Sequence, residues 1–93
     1  MIASTSQKVK EGKLVKVEVE YDGIIRRIKI TGDFFLHPED VLDRIEESMI
    51  GLGKDASIDT IASIIQGIAQ AHDAQMIGIG PESLASVIRE TLK

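Results

Sequence analysis

Between Lys13 and Asp22 apolar and charged residues alternate: Val15, Val17, Val19 and Tyr21 are interleaved with Lys16, Glu18, Glu20 and Asp22. A period of two sends successive side chains to opposite faces, so the stretch predicts a half-buried antiparallel strand, apolar inward and charged outward. Asp22-Gly23 follows. This is a tight-hairpin signal, because glycine accepts the positive φ of a primed turn. Ile24 to Thr31 then reads as the returning strand, with Ile28 and Ile30 on the core face. Arg26, Arg27 and Lys29 fall among acidic residues of the preceding strand, where cross-strand charge pairing is favourable. Upstream, Gln7 to Lys10 reads as a short edge strand ahead of the Glu11-Gly12 turn, and Met1 to Ser6 as a frayed polar end.

After Leu36 the period changes to that of a helix. Pro38 suits a first helical position, where its missing N–H costs nothing. Glu39 and Asp40 suit the positive end of the helix dipole. Val41, Leu42, Ile45 and Met49 form one apolar stripe, and Gly51 reads as the stop. Ser57 predicts the cap of a second helix running to about His72. Its Ile58, Ile61, Ile65 and Ile68, widened by Ile64 and alanines, mark it as the central helix. Gly67 inside it predicts close approach by a neighbour. Asp73 to Ile79 reads as a connector carrying an apolar plug, Met76, Ile77 and Ile79. Gly80-Pro81 opens a third helix through Leu92, with Leu84, Val87, Ile88 and Leu92 on one face.

Strands first and helices after define an α+β chain: a small antiparallel meander sheet of two or three strands packed against about three helices. The expected organisation is a flexible N-terminus over 1–6 and one domain over 7–93. Composition narrows the function. The 93 residues carry 11 basic and 15 acidic side chains, a net charge of −4, which argues against nucleic acid as the main partner. There is no cysteine, which excludes disulfides, thiolate metal sites, Fe–S ligation and sulfur-transfer chemistry and fits a reducing compartment. No apolar run approaches the ~20 residues of a membrane span, and Met1 to Gln7 has no apolar signal region. A cytoplasmic protein is the expectation.

Candidate chemistry is sparse. The loop Gly51-Leu52-Gly53-Lys54-Asp55-Ala56 superficially suggests a phosphate loop, but Ser48 stands where the first glycine belongs and Asp55 replaces the hydroxyl residue. The dinucleotide spacing at Gly51, Gly53 and Ala56 follows a helix rather than a strand, so a helix-to-helix turn is the better reading. His37 and His72 are the only histidines, and neither has further ligands at a zinc-like spacing. No serine sits in a nucleophile elbow. The sequence therefore offers no catalytic residue and no metal site. Its oddest segment is Gly32-Asp33-Phe34-Phe35-Leu36, which holds both phenylalanines. Adjacent residues of an extended segment face opposite ways, so one ring is exposed unless a second layer folds over both. An exposed aromatic beside a turn points to a binding partner. Gly32, Asp33, Phe34 and Phe35 are the interface candidates.

Taken together, Gly12-Lys13-Leu14-Val15-Lys16-Val17, Asp22-Gly23-Ile24-Ile25 and the block Gly32-Asp33-Phe34-Phe35-Leu36-His37-Pro38-Glu39-Asp40 resemble the C-terminal accessory domain of lipoate–protein ligases. The helix end from Ile45-Glu46-Glu47 to Gly51, and the run Ile77-Gly78-Ile79-Gly80-Pro81-Glu82-Ser83-Leu84, extend the resemblance over nearly the whole chain from Gln7.

The resemblance implies a small α+β domain and an accessory role. That family activates lipoate with ATP and Mg to lipoyl-AMP, then transfers the lipoyl group to a lysine of an acceptor protein. Its lipoate pocket, nucleotide loop and key lysine belong to a larger catalytic domain, so no active-site residue carries over to this chain. A chain of this length beginning at Met1 fits the arrangement in which the accessory domain is a separate subunit, forming a heterodimer with the catalytic one. The expected cofactors, ATP, Mg and lipoate, are used by that complex rather than held by this chain alone. Three rivals are weaker. A sulfur-acceptor module lacks its cysteine. A lipoyl carrier domain presents a lysine at a hairpin tip, where this chain has Asp22-Gly23. A non-catalytic protein-binding module with an unrelated partner is the alternative, set below the first reading only by the resemblance.

Overall fold

The computed structural model describes residues 1–92. Strand β1 (Ile2–Lys8), β2 (Leu14–Tyr21) and β3 (Ile25–Gly32) form an antiparallel meander in the order β1-β2-β3. Val15, Val17, Val19 and Tyr21 point inward from β2 and are buried, as the alternation requires. Helix α1 (Asp40–Met49) packs against β3 and α2 (Ile58–Ala71), and α3 (Pro81–Thr91) packs against α2 and the β1–β2 pair. One apolar core joins these layers, with Ile25, Ile45, Met49, Ile61, Ile65, Leu84 and Ile88 fully buried. The class is α+β with three helices, as expected.

The first strand is longer than its sequence suggests. Residues expected to fray, Met1 to Ser6, and the short strand expected at Gln7 to Lys10 are replaced by β1, which pairs with β2 from Ile2↔Glu20 to Lys8↔Leu14. Its residues are small and polar because only Ala3, Thr5 and Gln7 turn toward the helices, where they are half-buried. Pairing with β2, rather than its own hydrophobicity, holds β1 in place. The amine of Met1 donates to the carbonyl of Tyr21 (2.8 Å), and the Tyr21 amide returns a bond to Met1 (2.9 Å).

The β2–β3 turn also differs from expectation. Gly23 does not take positive φ. Three residues, Asp22 to Ile24, make the connection, with the Ile24 amide donating to the Asp22 carboxylate (3.2 Å). Tyr21 faces Ile25 and Glu20 faces Arg27, so Arg26 is an extra residue, a β-bulge. The bulge shifts the alternation by one and brings Ile25 into the core with Ile28 and Ile30. The Asp22 carboxylate is held below its usual range by the Ile24 amide and then by the Arg26 guanidinium (3.2 Å).

The helix ends follow their chemistry closely. Ser57 Oγ accepts from the Thr60 amide (3.1 Å), and α2 ends at His72. Pro81 occupies the first turn of α3, and the Gly80 amide donates to Ser83 Oγ (2.9 Å). Two expectations fail. Pro38 lies ahead of the Glu39 cap rather than inside α1, after a cis peptide bond. Gly67 faces open space, with no atom within 4 Å of where a Cβ would stand, so no neighbour explains it. The loop over 51–56 acts as a structural turn. Leu52 and Gly51 exchange backbone bonds with Ile25 (2.9 and 2.8 Å), Gly53 pairs with Ile24, and the Arg89 guanidinium donates to the carbonyls of Lys54 and Ala56.

Candidate functional site: the β4–β5 ribbon

Beyond β3 the chain forms a second, two-stranded ribbon: β4 (Phe35–His37) paired antiparallel with β5 (Gln75–Ile77). The sequence read the 73–79 stretch as an irregular connector, because three residues are too short to show a period. The ribbon is launched from Gly32. An added Cβ there would collide with the Leu14 carbonyl oxygen and lie 2.9 Å from the Phe34 ring. That close backbone approach lets the Asp33 amide donate to Leu14 (3.0 Å), which fixes where the next residues leave the sheet.

Alternation then sorts the side chains. Phe34 is 9% exposed and Leu36 5%, both in the core, whereas Phe35 is 60% exposed. Of the two readings of the double phenylalanine, the one with rings on opposite sides is correct. Phe34 is therefore corrected from interface candidate to internal support, and Gly32 acts through backbone geometry. Asp33 and Phe35 face solvent. His37 follows Phe35 on the same face, and their rings stack with centroids 6.5 Å apart and planes 7° from parallel. It closes β4.

The outer face of the ribbon is completed by Gln75, which the sequence did not single out, and by Ile77, expected in an apolar plug but exposed. Ile77 stands opposite Phe35 and is 42% exposed; Gln75 stands opposite His37. Phe35 and Ile77 thus form a cross-strand apolar pair on the surface. Beside it lies a shallow hollow of about 250 Å³ lined by Phe34, Phe35, Leu36, His37, Glu39 and Leu42. The first turn of α1, with Asp40 and Asp43, adds acidic character next to it. On the far side Gly78, at φ +85°, turns the chain from β5 toward buried Ile79, and the Lys13 side chain lies across it. Among the described residues no group of three His, Cys, Asp or Glu could hold a metal ion. No helix is long and apolar enough to cross a membrane. The ribbon thus exposes an aromatic and an isoleucine side by side, with Asp33, His37 and Gln75 around them.

The structure is a small α+β domain with a two-stranded ribbon on its surface. Its sequence matches the family of bacterial lipoate protein ligase C-termini over residues 4–88, and the chain belongs to that family. It is 35% identical over 92 residues to lipoate-protein ligase A subunit 2 of Thermoplasma acidophilum, spanning 96% of this chain and 89% of that subunit. A solved chain from the bi-partite lipoate protein ligase and E2 lipoyl domain system of the same organism superposes with a TM-score of 0.78. The two are 32% identical, with 96% of each covered.

Proposed function

We infer that this chain is the accessory subunit of a two-chain lipoate–protein ligase. The observation that carries the reading is its similarity, over nearly all of both chains, to subunit 2 of the Thermoplasma ligase. Its partner is the catalytic subunit. The complex uses lipoate and ATP with Mg, forming lipoyl-AMP before transfer to a lysine of an acceptor protein. A mixed anhydride is hydrolysable, so a subunit that closes over the site during adenylation excludes water, and one that moves aside admits the bulky acceptor. The ribbon is the contact we assign to the catalytic subunit: Phe35 and Ile77 as apolar anchors, Asp33 and His37 as polar rim, Gly32 and Phe34 as the support that aims them. A contact of this kind is modest and partly polar, as suits an interface that forms and opens within a cycle. A chain without cysteine fits a cytoplasmic complex.

The test is reconstitution. The purified chain is mixed with a catalytic subunit of the same source, and lipoyl-AMP is measured for each alone and for the mixture. Adenylate formed only by the mixture is the expected result. Full-rate adenylation by the large chain alone overturns the reading.

A further inference from the structure

The two edges of the main sheet are treated differently. The β3 edge is closed: Ile25 exchanges backbone bonds with Gly51 and Leu52, and the Ile30 amide donates to the Glu46 carboxylate (2.7 Å). The β1 edge is open. Met1 and Tyr21 form a mutually bonded pair, and at the far end the Val9 amide donates to Lys13 (2.9 Å). In an antiparallel ladder bonded and non-bonded pairs alternate, so Ala3, Thr5 and Gln7 use their backbone groups on β2. Ile2, Ser4, Ser6 and Lys8 therefore aim theirs outward. Among the described residues no strand pairs with that edge. Protection is slight: β1 has no proline and no bulge, and its one charged side chain is Lys8 at its end.

Two hollows flank β1 on its helix side, giving a new strand room beneath α3. One, about 390 Å³, is lined at the Lys8–Lys10 end with Glu82 and Ser86. The other, about 360 Å³, is lined at the Met1–Thr5 end with Glu90.

We propose that the β1 edge pairs antiparallel with β1 of a second copy of this chain, joining two three-stranded sheets into one. The strand is self-complementary. A two-fold axis at Thr5 places Ser4 against Ser6 and Ile2 against Lys8 of the other copy, so every outward-facing residue finds an outward-facing partner and no like charges stand opposite. The axis also brings the Glu90 end of one copy to the Lys8–Lys10 end of the other. This pairing is independent of the ligase reading.

The mass of the purified chain in solution tests the proposal, measured from micromolar to millimolar concentration together with amide hydrogen exchange. The expected result is a rise toward twice the monomer mass. Exchange at Ser4 and Ser6 should slow about tenfold with concentration, while that at Thr5 changes little. Ser4→Pro removes one outward N–H and none of the β2 bonds, a change an edge strand tolerates. It should keep the chain monomeric, and Ser4→Ala should not. A monomer with unchanged exchange throughout, or a Ser4→Pro variant that still dimerises, overturns the proposal. If Ser4→Pro fails to fold, exchange in the unmodified chain decides alone. Protection of Ser4 and Ser6 that appears only when the catalytic subunit is added also overturns it, assigning the edge to a strand of that subunit.

Discussion

Phe34 and Phe35 are adjacent in the chain and serve opposite sides of the molecule. Phe34 packs into the core beside Gly32, and Phe35 stands on the ribbon surface against Ile77. The pair separates folding from binding in neighbouring positions. Phe34→Ala should cost ~3–5 kcal/mol, the range for emptying a buried phenylalanine site. Phe35→Ser removes surface apolar area and should change stability by no more than ~0.5 kcal/mol. Urea denaturation measures both. In the reconstituted ligase, Phe35→Ser should weaken association with the catalytic subunit at least about tenfold, as loss of an interface anchor does. A Phe35→Ser variant that binds and adenylates normally would remove the ribbon from the interface.

Gly32 controls where that ribbon points. A methyl group there meets the Leu14 carbonyl, a backbone atom that cannot swing aside. Gly32→Ala should therefore break the Asp33–Leu14 hydrogen bond and destabilise the chain by ~1–3 kcal/mol. The signature that separates misaiming from simple weakening is spectroscopic. Amide shifts of Asp33 to His37 and of Gln75 to Ile77 should move together, while those of α2 stay in place.

Much of this is legible in the sequence, and the shortfalls in the strands share one physical cause. The valines of β2 and the isoleucines of α2 announce themselves because burial imposes a period on eight or more residues. Ser57 and Pro81 mark helix starts because the unpaired amides of a first turn impose a chemistry of their own. β1 is legible only at its Gln7 end, because it is held by backbone pairing and buries only small side chains, so no hydrophobic alternation records the rest. β5 was missed because its three residues are defined by their partner β4. The oddity of the double phenylalanine located half of the candidate surface. Ile77, Gln75 and the stacked His37 completed it only through long-range pairing, which one local stretch cannot express.

Ile65 tests the assignment of α2 as the central helix. It is fully buried, on a helix that packs against α1 and α3. Ile65→Ala should lower stability by ~2–5 kcal/mol, the cost of lost transfer energy plus the cavity left behind. An unchanged denaturation midpoint would contradict its place in the core.

Asp22 gives the hairpin a pH dependence of known sign. Its carboxylate is held below the ordinary aspartate range by the Ile24 amide and by Arg26, so the ionised form is favoured by folding. The stabilisation is complete above the ordinary aspartate value of ~3.9 and is lost as pH falls through the lowered folded value. The group is exposed, so the effect is small and screened by salt. Asp22→Asn should lower stability slightly at neutral pH and flatten the acid limb, the difference between the two chains vanishing as pH falls through the lowered folded value. An acid limb of the same slope in both chains would show that Asp22 does not contribute.

Glu46 and Ile30 carry the last prediction. The Ile30 amide belongs to the outer side of β3, where a ladder bond is missing, and the Glu46 carboxylate on α1 accepts from it at 2.7 Å. One contact thus satisfies a strand edge and ties α1 to the sheet. Hydrogen bonds to a charged group contribute ~1.5–3 kcal/mol, and removing the acceptor leaves a partly buried donor unpaired. Glu46→Ala should cost ~1–3 kcal/mol and speed exchange of the Ile30 amide. Glu46→Gln keeps an acceptor of similar reach and should recover more than half of the loss. If the alanine and glutamine variants lost stability equally, the carboxylate charge rather than the hydrogen bond would be what α1 contributes to the β3 edge.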